Sequence, residues 1–313
     1  MTGLGGGRYG SARSTGNLKT TGAAMAEKKK QNPMDAAAGL RQMERLLGGA
    51  AKGKKKNEQE AQQLVYDAWE LDADAAAELL VKATELDPTN VDAWLGLLQM
   101  SSLPLEEQID ILRQLVATGE KNIGADFNEF KGEFWGFHET RPYMRARGML
   151  AHLLMETEQW AEAAAEYEAM LELNPNDNQG VRYELMSAYL SLDGLEGARR
   201  LFKAFDGERK YSTIWAWAYV LERHLSGALD EARQALADAR KQNPHAQAYF
   251  LGHRKLPKTM PGSYAIGTRE EAMIAWEILQ PAWEKHPAAI QWLGEQREGG
   301  GRSPKAPNFK IAP

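Results

Sequence analysis

The chain has 313 residues, is 43% hydrophobic and carries 38 Lys+Arg against 43 Asp+Glu, a formal net charge of −5. That composition can fill one large or two ordinary cores, which excludes a wholly disordered chain, and its charge gives no reason for an obligatory nucleic-acid ligand. Zero cysteines exclude disulfides, thiolate metal sites and a cysteine nucleophile, and no stretch approaches the roughly 18 apolar residues of a membrane span.

The charge is unevenly spread. Residues 1–60 hold 12 Lys+Arg and 5 Asp+Glu, leaving 26 and 38 for residues 61–313, so a basic arm precedes an acidic body. The arm, residues 1–56, is rich in Gly, Ala and Lys, has no acidic residue before Glu27 and contains the lysine runs 28–30 and 54–56. It buries too little apolar surface to offset ordering entropy, which predicts a mostly disordered tail. Within it, residues 35–47 form one or two amphipathic turns with Leu40, Met43, Leu46 and Leu47 on one face, before Gly48 and Gly49 end them. The sequence around Met25 reads as a natural start; an organellar presequence is a competing reading of the first residues, and a secretory apolar region is missing.

From residue 58 the pattern is helical. Three segments align on a small residue and a proline 12 positions later: Ala76 with Pro88, Ala163 with Pro175, Ala232 with Pro244. Each has an apolar residue four after the alanine (Leu80, Tyr167, Leu236) and a small or apolar one seven after it (Ala83, Met170, Ala239). A fourth copy uses Ala198, Phe202 and Phe205, and the steps between Ala163, Ala198 and Ala232 are 35 and 34 residues. That period, with small residues where two backbones approach and a proline ending the second helix, is the signature of a tetratricopeptide unit. One such unit cannot bury its own apolar face, so the predicted fold is all-α, a tetratricopeptide-like right-handed helical solenoid over residues 57–297 behind a disordered basic N-terminal tail.

The period is interrupted between Ala76 and Ala163. Residues 91–101 and 104–118 predict one more helix pair, and the aromatic, glycine-punctuated stretch 124–138 predicts an insertion near 120–140, a loop with a short helix over the groove or the convex face. Beyond Pro244 the sequence predicts a helix over 246–254, a loop over 256–267 and a capping box, Thr268 with Glu271, opening a helix towards Pro281. Trp276, Trp283 and Trp292 then close the apolar end, and 298–313 reads as a disordered tail.

Several strings are more specific than the period: Phe134-Trp135-Gly136, Glu139 to Arg147, Leu173 to Gly180, Asn243-Pro244-His245, Tyr249-Phe250-Leu251 and Leu256-Pro257. Together they resemble bacterial tetratricopeptide-repeat proteins of unassigned activity, and the part after Pro244 distantly resembles the C-terminal region of the suppressor-of-tumorigenicity-seven family. The resemblance spans roughly residues 58–295 and implies a helical interaction scaffold; it implies no catalytic residue and no membrane location.

In this architecture the first helix of each pair lines a concave surface. The alanine register turns Arg145, His152 and Met155 outward in one unit, Tyr183, Ser187 and Leu190 in the next, then Trp217, Leu221 and His224. Such a mixture of aromatic, aliphatic and polar groups suits a docked peptide or helix. Two readings stand side by side: Arg145 as a two-point clamp on a ligand carboxylate, or Arg141, Arg145 and Arg147 paired with repeat carboxylates such as Glu156, Glu158 or Glu184. Thr140 is expected to N-cap its helix, and Asp177 or Asn178 the next one; a spare Asn178 would hold a peptide backbone. Trp217 is equally readable as core.

Chemical signatures are sparse. The six histidines contain no i, i+4 pair, and no phosphate-cradling glycine loop or nucleophile elbow occurs. The expected function is therefore a non-enzymatic cytoplasmic scaffold or adaptor, without cofactor or metal, holding a protein or peptide partner in its groove. The alternative is a regulatory or chaperone-like module whose basic tail contacts an acidic partner, nucleic acid or the acidic body itself; elsewhere a groove of this composition has too few Lys and Arg for nucleic acid.

Overall fold

The computed structural model describes residues 56–296, and every regular element among them is a helix. In chain order these are α1 Lys56–Ala68, α2 Ala73–Leu86, α3 Val91–Met100, α4 Leu105–Ile123, α5 Phe127–Phe130, α6 Arg141–Glu156, α7 Trp160–Leu173, α8 Arg182–Ser191, α9 Leu195–Ala204, α10 Thr213–Leu225, α11 Leu229–Gln242, α12 Gln247–Phe250, α13 Arg269–Lys285 and α14 Pro287–Glu295. None of the described helices is long and apolar enough to cross a membrane. The tails and the amphipathic segment 35–47 lie outside the described residues.

Side-chain caps set several helix starts. Asp72, Asn90, Ser212 and Thr268 accept a hydrogen bond from the backbone N–H three residues on, satisfying donors that the first turn leaves open. The described residues divide into two compact units, 56–157 with Glu168–Asn178, and Glu158–Tyr167 with 179–296.

The first unit is built on small side chains. Ala61, Val65 and Ala68 of α1 bury against Ala76, Leu80 and Ala83 of α2 and Ala93 of α3. The absence of a side chain at Gly96 is what lets α3 close on α2: a Cβ there would sit 2.7 Å from the Leu80 Cδ1. The 124–138 stretch forms a 3-10 turn and the short α5, then folds onto its own unit. Phe134 is fully buried between Phe127 and Tyr143, and the N–H groups of Gly132 and Phe134 both donate to the Leu173 carbonyl.

The second unit is built on indoles. Trp215, Trp217 and Trp283 are fully buried, and Trp217 stacks on Phe250 with ring centroids 4.3 Å apart. Ala232, Leu236 and Ala239 of α11 are buried where α11 packs on α10, and α13 packs on both α8 and α10. A fully buried carboxylate, Glu222, accepts hydrogen bonds from Arg199, Arg223 and Ser226.

Four local expectations are corrected. Thr140 is the N-cap residue of α6 but makes no side-chain cap bond; its hydroxyl donates to the carbonyls of Phe134 and Phe137, fastening the preceding loop to the start of α6. Neither Asp177 nor Asn178 caps α8, whose N-cap is Val181. The helix expected over 246–254 shrinks to α12, because the chain turns at Gly252, where φ is +67°. Finally, α13 runs through Pro281 to Lys285, held by the buried Ala282 and Trp283 beyond the proline.

Candidate functional site

In the first unit the outward set of α6 is engaged within the chain. Arg145 Nε donates to Asp92 Oδ1 at 2.8 Å and its NH2 to Oδ2, while the guanidinium lies 5.7 Å from the Trp69 ring centroid. Asp92 also accepts from Gln62, and Gln62 in turn accepts from Asn90. The result is a polar ladder across α1, α3 and α6. The two-point geometry expected of Arg145 exists, and the carboxylate it holds is Asp92 at the start of α3. The Asp92 side chain is 2% exposed, and burying one charge opposite another forces such close pairing. His152 lies 3.4 Å from Glu156 one turn on, Met155 is buried, and Asn178 is exposed in the turn before α8.

In the second unit the same positions are mostly core. Ser187, Trp217 and Leu221 are fully buried, which corrects their assignment to a ligand surface. The cause is α13, which covers α8 and α10 and turns their expected outer face inward. Tyr183 is half-buried, donating its hydroxyl to Glu208 at 2.7 Å beside Arg182, whose guanidinium sits 4.4 Å from the Tyr183 centroid. Burial pushes the Tyr183 hydroxyl well above its usual range; Arg182 opposes the shift and Glu208 adds to it. His224 packs at a tilt against Trp292, ring centroids 5.0 Å apart, and burial, then the charge of His286, holds it below the ordinary histidine value.

A cleft of about 490 Å3 opens elsewhere in this unit, between the 3-10 turn Glu208–Lys210, α10 and α11. Its floor is Ala216, Ala235 and Ala239. Tyr219 forms one wall, its ring covered by Arg209 at 4.2 Å. Lys210 stands on the same rim as Arg209, with Glu231 and Asp238 opposite, and the buried Gln242 Nε2 at the cleft has no hydrogen-bond partner among the described residues. Small side chains along α10 and α11 leave room there for an extended backbone to lie close to the helices. The sequence held one signal for this cleft: alanines recur through α11 at 232, 235, 237 and 239, more than the helix crossing alone requires.

The buried Glu271 sits nearby in the same unit. It accepts from the N–H groups of Thr213 and Gly267 and from the Asn243 amide. The capping box therefore exists with a difference: Thr268 accepts from Glu271 N–H, but the Glu271 carboxylate reaches past the N-cap to Gly267 and to the start of α10. Among the described residues no three His, Asp or Glu side chains converge in a metal-ligating cluster. Compared with known proteins, the sequence matches no family model, and no curated protein matches it.

Proposed function

We propose that the protein is a non-catalytic, tetratricopeptide-like interaction scaffold of the cytoplasm, its helix pairs stacked as a right-handed solenoid, and that it holds an extended peptide of a protein partner. Support for the repeat comes from burial of the same three positions in three second helices, Ala76, Leu80 and Ala83, then Ala163, Tyr167 and Met170, then Ala232, Leu236 and Ala239; in the copy on α9 only Ala198 is buried, Phe202 and Phe205 being half-buried. The lack of cysteine suits a reducing compartment.

The observation that carries the binding role is the cleft beside α11. An alanine floor admits a backbone, and rims of opposite charge, Arg209 and Lys210 against Glu231 and Asp238, fix the direction in which a charged peptide lies. Arg145, Trp217 and Leu221 are engaged within the chain, which favours the cleft over them as the surface of the proposed binding.

The test is a screen of single unstructured peptides by fluorescence anisotropy, repeated with Ala235→Phe, which fills the cleft from a half-exposed position. A peptide that binds the native chain is expected to lose about tenfold or more in affinity, one unit of pKd, with the melting temperature unchanged. Equal binding by Ala235→Phe would remove the cleft from the mechanism.

A further inference from the structure

On the helices, arginines find carboxylates within the chain: Arg145 meets Asp92, Arg182 meets Glu208, Arg199 and Arg223 meet Glu222, and Arg233 meets Asp230. One stretch breaks this pattern. Residues 239–269 contain six Lys and Arg and no Asp or Glu, while the rest of 61–313 holds 20 Lys and Arg against 38 Asp and Glu. Four of the six, Arg254, Lys255, Lys258 and Arg269, are exposed and have no carboxylate partner among the described residues. The first three fall within residues 254–258, on the loop that joins α12 to α13.

The loop is fastened at both ends. It leaves α12 beside the buried Tyr249 and Phe250, and the N–H of Arg254 donates to the Ala248 carbonyl at 2.9 Å. It returns where Asn243 Nδ2 donates to the Thr268 carbonyl and the buried Glu271 accepts from the Gly267 N–H at 2.7 Å. Asn243 lies four residues before α12, so these bonds draw the two ends together. Between them Leu256, Met260 and Pro261 are half-buried, while Tyr264 and Ile266 stay 42% and 63% exposed. A large aliphatic left in water beside unpaired cations marks a surface that gains by being covered.

We infer that this loop is a second binding site, for an acidic segment of a protein partner that also carries apolar side chains. Arg254, Lys255 and Lys258 supply the charge, Ile266 and Tyr264 the apolar contact, and the fastened ends lower the cost of ordering them on binding. Two other polyanions match the loop less closely. A nucleic-acid strand needs a track of phosphate contacts and rings for its bases, whereas the loop carries a single tyrosine and an exposed aliphatic, and carboxylates outnumber cations on the rest of the body. An anionic bilayer is broad, so it would meet those carboxylates as well, beginning with the exposed Glu270. A peptide need span only the loop. None of these loop residues lines the cleft, so the site is independent of the peptide proposed there.

The test is fluorescence anisotropy on the full-length chain with a short synthetic peptide in which Asp and Glu alternate with Leu and Phe. Lys255→Glu/Lys258→Glu is expected to weaken binding about tenfold. Lys82→Glu/Lys121→Glu makes the same change in net charge at two exposed sites of the first unit and is expected to alter binding by less than about twofold. Ile266→Ser is expected to cost about fivefold with this peptide and nothing with one that has Ser in place of Leu and Phe. Every variant keeps the basic residues 1–56, so differences between them read the loop, and Ala235→Phe is expected to bind as the native chain does. Hydrogen exchange maps the contact directly: the peptide is expected to slow exchange in residues 252–268 and to leave α1 to α3 unchanged. No binding by the native chain, an equal loss in both charge variants, an unaffected Ile266→Ser, or protection that misses 252–268 overturns the inference, and a loss with Ala235→Phe moves the peptide to the cleft. It is overturned equally if a single-stranded oligonucleotide, or vesicles of phosphatidylcholine and phosphatidylglycerol, bind as tightly as the peptide and are weakened by the same loop variants; the loop would then belong to nucleic acid or to a membrane surface.

Discussion

The two compact units use the same alanine spacing to bring helices together and then fill the remaining space in opposite ways. In the first, Ala76 and Ala83 leave a thin core of Ala, Val and Leu around α1 to α3, with buried aromatic rings confined to Phe134 and Tyr143, clustered with Phe127 beside α6, and a polar ladder of Gln62, Asp92 and Arg145 ties α1, α3 and α6. In the second, Ala232 and Ala239 stand beside Trp215, Trp217 and Trp283, whose indole N–H groups are buried without partners among the described residues. The unpaired donors cost free energy that the large apolar rings offset, because each buries far more carbon surface than an alanine does. The small-residue register therefore specifies how closely helices cross, and leaves open whether area or charge pairing holds them.

The largest test of that contrast is Trp217→Ala. Removing an indole stacked on Phe250 leaves a cavity in the second unit, and the loss is expected to be about 3–5 kcal/mol by denaturant titration. Hydrogen exchange should show the loss across α10 to α13 while α1 to α3 keep their protection. An equal loss in α1 to α3 would make the units one cooperative body and end the comparison.

In the first unit the corresponding weak point is a charge. Arg145→Met strands the Asp92 carboxylate in a site where its side chain is 2% exposed. We expect a cost of about 2–3 kcal/mol, at the low end for a buried pair because the Arg145 side chain is itself 15% exposed. Adding Asp92→Leu should recover most of it, since the penalty belongs to the unpaired charge and not to the missing pair. A double variant no more stable than Arg145→Met would show that the ladder's geometry, through Gln62 and Trp69, matters more than its charge.

How much of this was legible in the sequence depended on range. Helix positions followed from period and punctuation, and the capping threonine at 268 and the buried triplets of α2, α7 and α11 follow from residues a few places apart. Site residues did not, because facing is decided by distant segments. Arg145 meets Asp92 across 53 positions, and Ser187, Trp217 and Leu221 are buried once α13, arriving some 50 to 80 residues later, lies over their helices. A solenoid register assumes that nothing folds back over the first helices. The long tryptophan-bearing segment after Pro244 was the one hint that something does, since Trp276, Trp283 and Trp292 need a surface of their own to bury. The Arg209 and Gln242 cleft left only the alanine run of α11 as a trace, because its walls come from a turn and two helices whose approach no local spacing encodes.

The smallest effect sharpens the contrast through pH. His224 is held below its ordinary value of 6.5, first by burial and then by His286, and its ring rests on Trp292. A depressed value in the folded state means that the fold binds the proton more weakly than the unfolded chain does. The neutral ring's contribution is fully present above about pH 6.5 and is lost as pH falls through and below that value. Lowering pH from 7.5 to 5.5 should therefore lower the melting temperature of the native chain more than that of His224→Phe, which keeps the ring against Trp292 without the titrating nitrogen. A difference of roughly 2 °C is expected, given how little free energy separates melting points in a chain of this size. Trp292→Leu should shrink the same difference by letting water reach the imidazole, which ties the pH response to the aromatic packing that sets the second unit apart. If His224→Phe and the native chain fall in parallel, burial at His224 does not feed into stability.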